Sequence, residues 1–444
     1  MKLNLSYKKL AEIIDGDLIN DMPVEIFSEF STNSKKIVGA CFWAILGENF
    51  DGHSFIPQAI ENGAKLIISS HNVDTGKDTS IIKVKDTLVA LQRLAKFNRD
   101  SHDIKIVAIT GSNGKSTTKQ ILLEILNQES QTCANKGNLN NQIGLPLSLL
   151  EINDSHKFGI FELGASKLGD IAEIAELAKP DIGIITNISP AHIGKFENLE
   201  NTYKTKTELI NHIKEDGILI YNADDKLLAD IPNKFKIKTK SFGTNKDADL
   251  KILESQETFQ FEYENKVYSI NLNLHHHDKL NIASACLAGF LMGLSFEKIE
   301  NGIKNFKPMP MRLELISHNN TDILLDCYNA NPDSMAVALE ILSKKPHKTK
   351  IAVLGDMNEL GNYSEKYHKE LATQIANSGV EHIFLAGKDI KYTYEELKKL
   401  NKNAFYSEDY NQWIDELKKL ISSESICLIK ASRSLGFENI LNLI

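Results

Sequence analysis

The chain has 444 residues, which is too long for one hydrophobic core and predicts about two to four domains. Hydrophobic residues make up 42% and charged residues 25%, the usual balance of a globular protein. The 51 basic and 59 acidic residues give a net charge of −8. This charge argues against a general nucleic-acid-binding protein or a protein held on an anionic membrane, because both need a basic surface.

The cysteines and the N-terminal residues indicate a cytoplasmic protein. The five cysteines are scattered and have no Cys-x-x-Cys spacing, so a disulfide framework is not expected. The N-terminal sequence has no continuous apolar segment of the kind found in signal peptides. No stretch approaches the roughly 18 apolar residues of a membrane span, so we expect no membrane insertion.

Three α/β domains are expected along the chain. Residues 1–100 alternate least regularly and form a small N-terminal α/β domain that ends in a helix at 88–99. In the central domain, residues 101–310, apolar strands alternate with amphipathic helices and predict a doubly wound parallel sheet. A second series of this kind predicts a Rossmann-like C-terminal domain at 311–444. The predicted strands lie within 104–110, 157–164, 181–188 and 217–225, and then within 322–329, 350–357, 382–387 and 425–432.

The segment TGSNGKST at 110–117 follows an apolar strand and opens a helix, which is the context of a phosphate loop. Glycines let backbone N–H groups approach phosphate oxygens, Lys115 would neutralise the β- and γ-phosphates, and the Ser116 hydroxyl would ligate Mg²⁺. Ile109 stands where the standard motif has its first glycine, so a glycine-rich turn with a chance lysine is the alternative. The predicted nucleotide-binding residues are Gly111, Ser112, Asn113, Gly114, Lys115, Ser116 and Thr117.

Glu162 is a candidate metal ligand. It closes an apolar strand in FELGAS, and the carboxyl ends of strands line the ligand crevice of a doubly wound sheet. A carboxylate beside a phosphate loop suits Mg²⁺, which prefers oxygen ligands.

The loop variant TGSNGKST resembles that of the Mur ligase and folylpolyglutamate synthase superfamily, and further segments extend the resemblance over nearly the whole chain. It implies ATP and Mg²⁺ as cofactors and the same metal role for Glu162. It adds His192, from an Asn-x-x-x-x-His segment that begins at Asn187. It also implies that Lys206 is carbamylated and contributes to the metal site, with Lys204 as the alternative.

The same resemblance implies further contacts with ATP. Asn281, in HHHDKLN, corresponds to an adenine contact, although His275 and Asp278 depart from the family pattern. Arg312 corresponds to an ATP-contacting arginine and Asp326 to a ribose-contacting aspartate.

The C-terminal segments at 326–335, 353–371 and 428–441 resemble those of the Mur ligases that join D-alanyl-D-alanine to UDP-MurNAc-tripeptide in peptidoglycan synthesis. Asn329 and Asn331 are the predicted substrate-binding residues of these segments. Ala431 replaces a glycine of the family pattern.

The N-terminal segment at 31–56 resembles the part of Mur ligases that binds the UDP group. The pattern is changed at Asn33 and Lys35, and a lysine cannot form the bidentate contact of an arginine. The matching residues, and therefore the predicted substrate contacts, are Ser34, Asp51, Gly52 and His53.

The implied reaction forms an acyl phosphate from ATP and the tripeptide carboxylate, which the amine of D-alanyl-D-alanine then attacks. Lys115, Lys206 and His192 are the expected catalytic residues, and a monomer is expected. One alternative is a folylpolyglutamate synthase-type amide ligase, which shares the phosphate loop and the chemistry. A second is a non-catalytic nucleotide-binding protein.

Overall fold

The computed structural model describes residues 3–20, 26–37, 40–47, 50–74, 78–190, 193–255, 258–272, 276–319 and 321–444, without the side chains of 276–278. These residues form three α/β domains in chain order, which confirms the predicted fold class. Each large sheet lies inside one of the predicted ranges 1–100, 101–310 and 311–444, which we keep as proposed boundaries. Within the described ranges, no helix is both long enough and apolar enough to cross a lipid bilayer.

The N-terminal domain contains a mixed sheet. Its described elements are β1 Leu5–Ser6, α1 Tyr7–Ile14, β2 Asp17–Ile19, β3 Ile26–Phe27, β4 Cys41–Trp43, β5 Leu46–Gly47, β6 Phe50–Asp51, α2 Ile56–Glu61, β7 Leu66–Ser69, β8 Ser80–Lys83 and α3 Thr87–Asp100. The sheet order is β2-β8-β7-β4, with β2 antiparallel to β8 and the other pairs parallel.

Helix α3 ties this domain to the next one. Asp86 caps it by accepting hydrogen bonds from Leu88 N and Val89 N, at 2.7 and 3.0 Å. At the other end, Asn98 Nδ2 donates to Leu149 O of the central domain at 2.9 Å. Buried side chains of both domains belong to one continuous hydrophobic cluster, so burial of apolar surface resists their separation.

The central domain is built on a nine-stranded sheet. Its elements are β9 Lys105–Thr110, α4 Lys115–Leu126, β10 Thr132–Ala134, α5 Gly144–Leu149, β11 Phe158–Glu162, α6 Asp170–Ala178, β12 Ile182–Ile185, α7 Ile193–Phe196, α8 Leu199–Thr207, β13 Ile218–Asn222, α9 Ile231–Lys234, β14 Lys238–Gly243, β15 Leu250–Leu253, β16 Phe259–Tyr263, β17 Lys266–Ile270, α10 His276–Leu291 and α11 Phe296–Asn305.

The order of this sheet is β10-β11-β9-β12-β13-β14-β15-β16-β17. All pairs are parallel up to β15, as the continuously apolar strands predict, but β16 and β17 are added antiparallel. The expectation of a purely parallel sheet was therefore wrong at this edge. The two strands are joined by a tight turn at Glu264 and Asn265, both in the left-handed region, which favours an antiparallel hairpin.

The C-terminal domain is a six-stranded sheet in the order β18-β19-β23-β20-β21-β22, parallel except for the β18–β19 pair. Its elements are β18 Glu314–His318, β19 Thr321–Asp326, α12 Pro332–Ser343, β20 Thr349–Gly355, α13 Ser364–Asn377, β21 His382–Ala386, α14 Lys391–Lys399, β22 Phe405–Ser407, α15 Ile414–Leu420 and β23 Ser425–Lys430.

Helix α4, which follows the phosphate loop, is held by unusually close packing against α11. A Cβ added at Gly302 of α11 would lie 2.4 Å from Ile125 Cα, so two helix backbones meet there. Gly289 of α10 also faces α4, but its added Cβ would meet only the Ile125 and Ile299 side chains, at 3.1 Å. Gly302 therefore sets the distance between α4 and α11.

We predict that Gly302→Ala destabilises the protein by about 1–3 kcal/mol, because the helices must separate to admit the methyl group. Alanine would otherwise favour an exposed helix by about 1 kcal/mol. Gly289→Ala is the matched control and should stay within about 1 kcal/mol of the wild type, since side-chain ends can move. Thermal unfolding midpoints measure both effects. A Gly302→Ala protein as stable as the wild type would contradict the packing argument.

Candidate active site

The phosphate loop leaves the middle of the central sheet. Strand β9 lies between β11 and β12, with Ile109 paired to Glu162 and Thr110 paired to Ile185. All three strands are parallel, so their carboxyl ends open on the same edge, where ligands of doubly wound sheets bind. Glu162 closes β11 and Asn187 follows β12, and both therefore flank the loop.

Two glycines of the loop are required by close contacts. Gly111 has φ +142°, and a Cβ there would lie 2.0 Å from Thr186 Oγ1. Gly114 has φ +83°, and its Cβ would lie 2.3 Å from Asn281 Oδ1. Asn281, the predicted adenine contact, thus packs against the loop. Other residues would be strained at both glycines and would push the neighbouring side chains away.

Ser116 and Glu162 form one hydrogen-bonded unit. Ser116 Oγ donates to Glu162 Oε2 at 2.7 Å, and Asn140 Nδ2 donates to Glu162 Oε1 at 2.9 Å. Burial raises the pKa of Glu162, but the charge of Lys115 and the Ser116 hydrogen bond outweigh it and hold the pKa below its ordinary value. The structure therefore keeps a buried, ionised carboxylate beside a hydroxyl at the start of α4.

Lys115 folds back over the loop. Its Nζ donates to Gly111 O at 2.8 Å and to Ser112 O at 3.1 Å. Burial lowers the pKa of Lys115; Glu162 opposes this shift and Arg312 adds to it. The amine is thus placed within the loop that would surround the phosphates.

Lys206, on α8, is buried, with 3% of its surface exposed. Its Nζ lies 5.4 Å from the centre of the Phe196 ring, and no described residue accepts a hydrogen bond from it. Burial, reinforced by Lys115, lowers the pKa of Lys206 to about 7. Lys204 instead lies on the surface and pairs with Glu200 at 2.7 Å. Of the two candidate lysines, the structure brings Lys206 to the site.

His192, the third expected catalytic residue, lies outside the described residues, as does His275. The side chain of Asp278 is also outside them. Their predicted roles stay predictions.

The C-terminal domain contacts the phosphate loop directly. Arg312 Nη2 donates to Ser116 Oγ at 3.1 Å, and its guanidinium stacks 4.0 Å from the centre of the Tyr328 ring. Asn331 caps α12 and also donates from Nδ2 to Asn113 Oδ1 at 2.7 Å. These contacts place two predicted site residues of the C-terminal domain on the loop itself.

Asp326 takes part in a buried ion pair. Lys430 Nζ donates to Asp326 Oδ2 at 2.5 Å and to Asn329 O at 3.0 Å. Lys430 is 1% exposed. The pair fixes the ends of β19 and β23 next to each other, and Asp326 and Asn329 both face the cleft.

A cleft of 1740 Å³ joins the three domains. Predicted site residues that line it are Ser112, Asn113, Gly114, Lys115, Ser116, Thr117, Glu162, Lys206, Asn281, Arg312, Asp326, Asn329 and Asn331. The N-terminal domain contributes Leu46, Gly47, Phe50 and Leu88 to its wall.

Four predicted substrate contacts are not part of this wall: Ser34, Asp51, Gly52 and His53. Each has internal partners. Ser34 Oγ donates to Gln58 Oε1 at 2.7 Å, and Asp51 Oδ1 accepts a hydrogen bond from His53 N at 2.9 Å. A Cβ at Gly52 would lie 2.7 Å from Ile45 O. Their role in substrate binding stays a prediction.

Several polar residues that support the site were missed by sequence reasoning. Asn135 accepts from Glu162 N and donates to Glu162 O, both at 3.0 Å, which holds the end of β11. Asn140 binds the Glu162 carboxylate, and Lys119 donates to Asn135 O at 2.7 Å. The only signal was the asparagine-rich segment at 135–141, which follows a strand and contains few apolar residues.

Family models match three successive parts of the chain. The model described as "Mur ligase family, catalytic domain" matches residues 32–99, "Mur ligase middle domain" matches 109–289, and "Mur ligase, glutamate ligase domain" matches 311–433. The UDP-N-acetylmuramoyl-tripeptide–D-alanyl-D-alanine ligase of Bacillus subtilis is 34% identical over 98% of this chain and 96% of its own length. The chain belongs to the Mur ligase family.

Solved structures of Mur ligases agree over the full length. MurF from Acinetobacter baumannii superposes with a TM-score of 0.92 at 28% identity, covering 99% of this chain and 98% of that one. MurF from Thermotoga maritima in complex with ADP superposes with a TM-score of 0.84 at 28% identity, covering 93% and 96%. Within the family, the chain therefore groups with the D-alanyl-D-alanine-adding ligases.

We predict that Gly114→Ala weakens ADP binding by at least about tenfold, because the strain and the clash with Asn281 together cost on the order of 1–3 kcal/mol in the bound loop. Gly169→Ala is the matched control, since Gly169 also caps a helix, with φ +90°, but has no atom within 4 Å of the added Cβ. Isothermal titration calorimetry should show unchanged ADP affinity for the control. A Gly114→Ala protein that binds ADP as tightly as the Gly169→Ala control would contradict the argument from the loop geometry.

Proposed function

We propose that this protein uses ATP to join D-alanyl-D-alanine to UDP-MurNAc-tripeptide, giving the UDP-MurNAc-pentapeptide of peptidoglycan synthesis. The observation that carries the proposal is the contact of Arg312 with Ser116, which closes the C-terminal domain over a phosphate loop flanked by Glu162 and Lys206. The full-length similarity to ligases of this specificity supports the same activity.

The first step is phosphoryl transfer to the free carboxylate of the tripeptide. A carboxylate oxygen attacks the γ-phosphorus of ATP, the bond to the β-γ bridging oxygen breaks, and ADP leaves. Negative charge spreads over the transferring phosphoryl oxygens. Lys115 and Arg312 would face this charge with positive groups, and such stabilisation is strongest where water is excluded.

The residues around the loop fit Mg²⁺. Ser116 offers a hydroxyl and Glu162 an ionised carboxylate, and hard oxygen donors are the ligands that Mg²⁺ prefers. His192 and Lys206 complete the proposed set. When bound, the ion supplies positive charge that neutralises phosphate oxygens.

Lys206 is proposed to work as a carbamate. With its pKa lowered to about 7, a large share of the amine is neutral at physiological pH and able to add CO₂. The product is an anion with two oxygens. It would replace a buried cation, which repels Mg²⁺, by a group that suits the metal.

In the second step, the amine of D-alanyl-D-alanine attacks the acyl carbon. The bond from that carbon to the phosphate oxygen breaks, phosphate leaves, and the amine proton passes to solvent. We propose that Asn329 and Asn331 contact substrate from the C-terminal side and Ser34, Asp51, Gly52 and His53 from the UDP side. We also propose that the protein is a monomer. We propose that it works in the cytoplasm, where ATP is available and where its five free, buried cysteines would stay reduced.

The substrate assignment predicts that phosphate release from ATP requires both UDP-MurNAc-tripeptide and D-alanyl-D-alanine. Turnover with D-alanyl-D-alanine should exceed that with D-alanine or L-glutamate by about 10²-fold or more. The other two substrates would leave polar groups of a site built for the dipeptide without a hydrogen-bond partner. Product analysis by mass spectrometry checks this for tripeptides that carry diaminopimelate or lysine. Comparable turnover with L-glutamate would favour the folylpolyglutamate synthase-type alternative.

The carbamate predicts that Lys206→Ala loses on the order of 10²-fold or more in kcat, since one group that stabilises the transition state is removed. Formate or acetate, which replaces the lost carboxylate oxygens, should restore part of the rate. Lys204→Ala is the matched control, because Lys204 lies two residues away and its ion pair is exposed. The idea fails if Lys206→Ala is fully active, or if small carboxylates stimulate both variants equally.

A further inference from the structure

A short helix of the central domain is docked into the C-terminal domain. Ile193, the first residue of α7, is 4% exposed and belongs to the hydrophobic cluster of the C-terminal sheet. The same cluster includes Leu360 and Met357, from the segment after β20. Helix α7 is therefore packed as part of the neighbouring domain, although the chain around it belongs to the central one.

Main-chain atoms of the two domains meet at this contact. Gly194 N donates to Glu359 O at 2.9 Å. A Cβ added at Gly194 would lie 2.5 Å from Gly361 N, and one added at Gly361 would lie 2.8 Å from Gly194 Cα. No side chain larger than hydrogen fits between them, so the fit depends on glycine on both sides.

The C-terminal side of the contact is a turn of unusual backbone conformation. Glu359 has φ +63° and Gly361 has φ +52°. The left-handed region is uncommon for a residue with a side chain and recurs at functional positions. Here it turns the Glu359 carbonyl towards Gly194 N, while the Glu359 carboxylate pairs with Lys195 Nζ at 2.7 Å.

The far end of α7 reaches the catalytic lysine. Phe196, its last residue, is 2% exposed, and its ring lies 5.4 Å from Lys206 Nζ. Helix α8, which carries Lys206, begins three residues later, at Leu199. The docking turn is thus connected to the wall of the Lys206 pocket through four residues of helix.

We propose that residues 359–361 form a latch that holds α7 when the C-terminal domain closes, and that Gly194, Lys195, Glu359 and Gly361 are positioning residues for the ligase reaction. Closure of the domain places Arg312 on Ser116, and the same movement seats Phe196 against Lys206. The contact between α7 and residues 359–361 therefore couples the position of Arg312 to the position of Phe196, so both sides of the site reach their working arrangement together. This inference rests on the proposed function for its kinetic part only.

Gly194→Ala tests the latch without straining its own helix. Gly194 has an ordinary helical backbone, where alanine is favourable, so the central domain should keep its thermal unfolding midpoint. The methyl group should wedge the domains apart. We expect a larger radius of gyration by small-angle X-ray scattering in the presence of a non-hydrolysable ATP analogue. We also expect kcat to fall on the order of 10²-fold, as for a misplaced catalytic group, with unchanged binding of UDP-MurNAc-tripeptide.

A charge-matched pair provides the second measurement. Lys195→Met removes the ion pair between domains and should lower kcat by about 2–5-fold, as expected for a partly exposed pair. Lys204→Met removes a more exposed ion pair within one helix and should leave kcat unchanged. If the difference in kcat between the wild type and Lys195→Met disappears at high salt, the result would agree with the latch.

The latch is overturned if Gly194→Ala closes to the wild-type radius of gyration and keeps kcat within about twofold, since a structural spacer would behave in this way. A lowered unfolding midpoint together with wild-type compaction would equally reject it. The scattering measurement needs no turnover. If the wild-type protein forms no pentapeptide, the proposed function fails, while the latch is still decided by compaction alone.

Discussion

The parallel pairing of β11, β9 and β12 is the constraint on which the site depends. Parallel strands end on the same edge, so the residues that follow them are brought together whatever their distance in sequence. Glu162 and Thr186 reach the phosphate loop in this way, from 46 and 70 residues beyond Ser116. The buried strands hold this edge rigid, and the loop can therefore have glycines in contact with neighbouring side chains.

Charge is the second constraint at this edge. Burial lowers the pKa of both Lys115 and Lys206, the charge of Lys115 lowers the pKa of Lys206 further, and the Glu162 carboxylate opposes both shifts. Moving an unpaired charge out of water is costly, so such a group loses its charge or finds a partner. Lys115 donates hydrogen bonds to the Gly111 and Ser112 carbonyls, whereas burial brings the pKa of Lys206 to about 7, so Lys206 is the group whose charge state is easiest to change. This asymmetry separates the hydrogen-bonded Lys115 from Lys206, whose charge is more easily lost.

The third domain contributes its contacts without sharing the central sheet. Arg312 and Asn331 reach Ser116 and Asn113 across the cleft, and the buried pair of Asp326 and Lys430 joins the ends of β19 and β23 beside them. The pair removes two charges from water, which its hydrogen bonds and mutual attraction must offset. The pair thereby holds together the edge of the C-terminal sheet that faces the cleft.

The order of helices and strands was predicted well where apolar runs alternate with amphipathic segments, as at β9, β11, β12 and β20. Each of these strands is covered on both faces, so its pattern is continuous and easy to recognise. The antiparallel strands β16 and β17 were not predicted, because alternating burial on a sheet edge leaves a weaker signal. The strands of the N-terminal domain have two to four residues, which is too short for their alternation of apolar and polar residues to be recognised.

The sequence alone determined the phosphate loop, the α/β domains and the family resemblance, because these depend on local spacing and on residue types that few other structures need. Only the tertiary structure showed that Lys206 is buried beside the cleft and Lys204 is not, since the two lie on one helix and differ in what covers them: solvent for one, Phe196 and the cleft for the other. It also decided which asparagines support Glu162 and which glycines join the domains. Burial and contact between distant segments arise only when the chain has folded, and no local pattern records them.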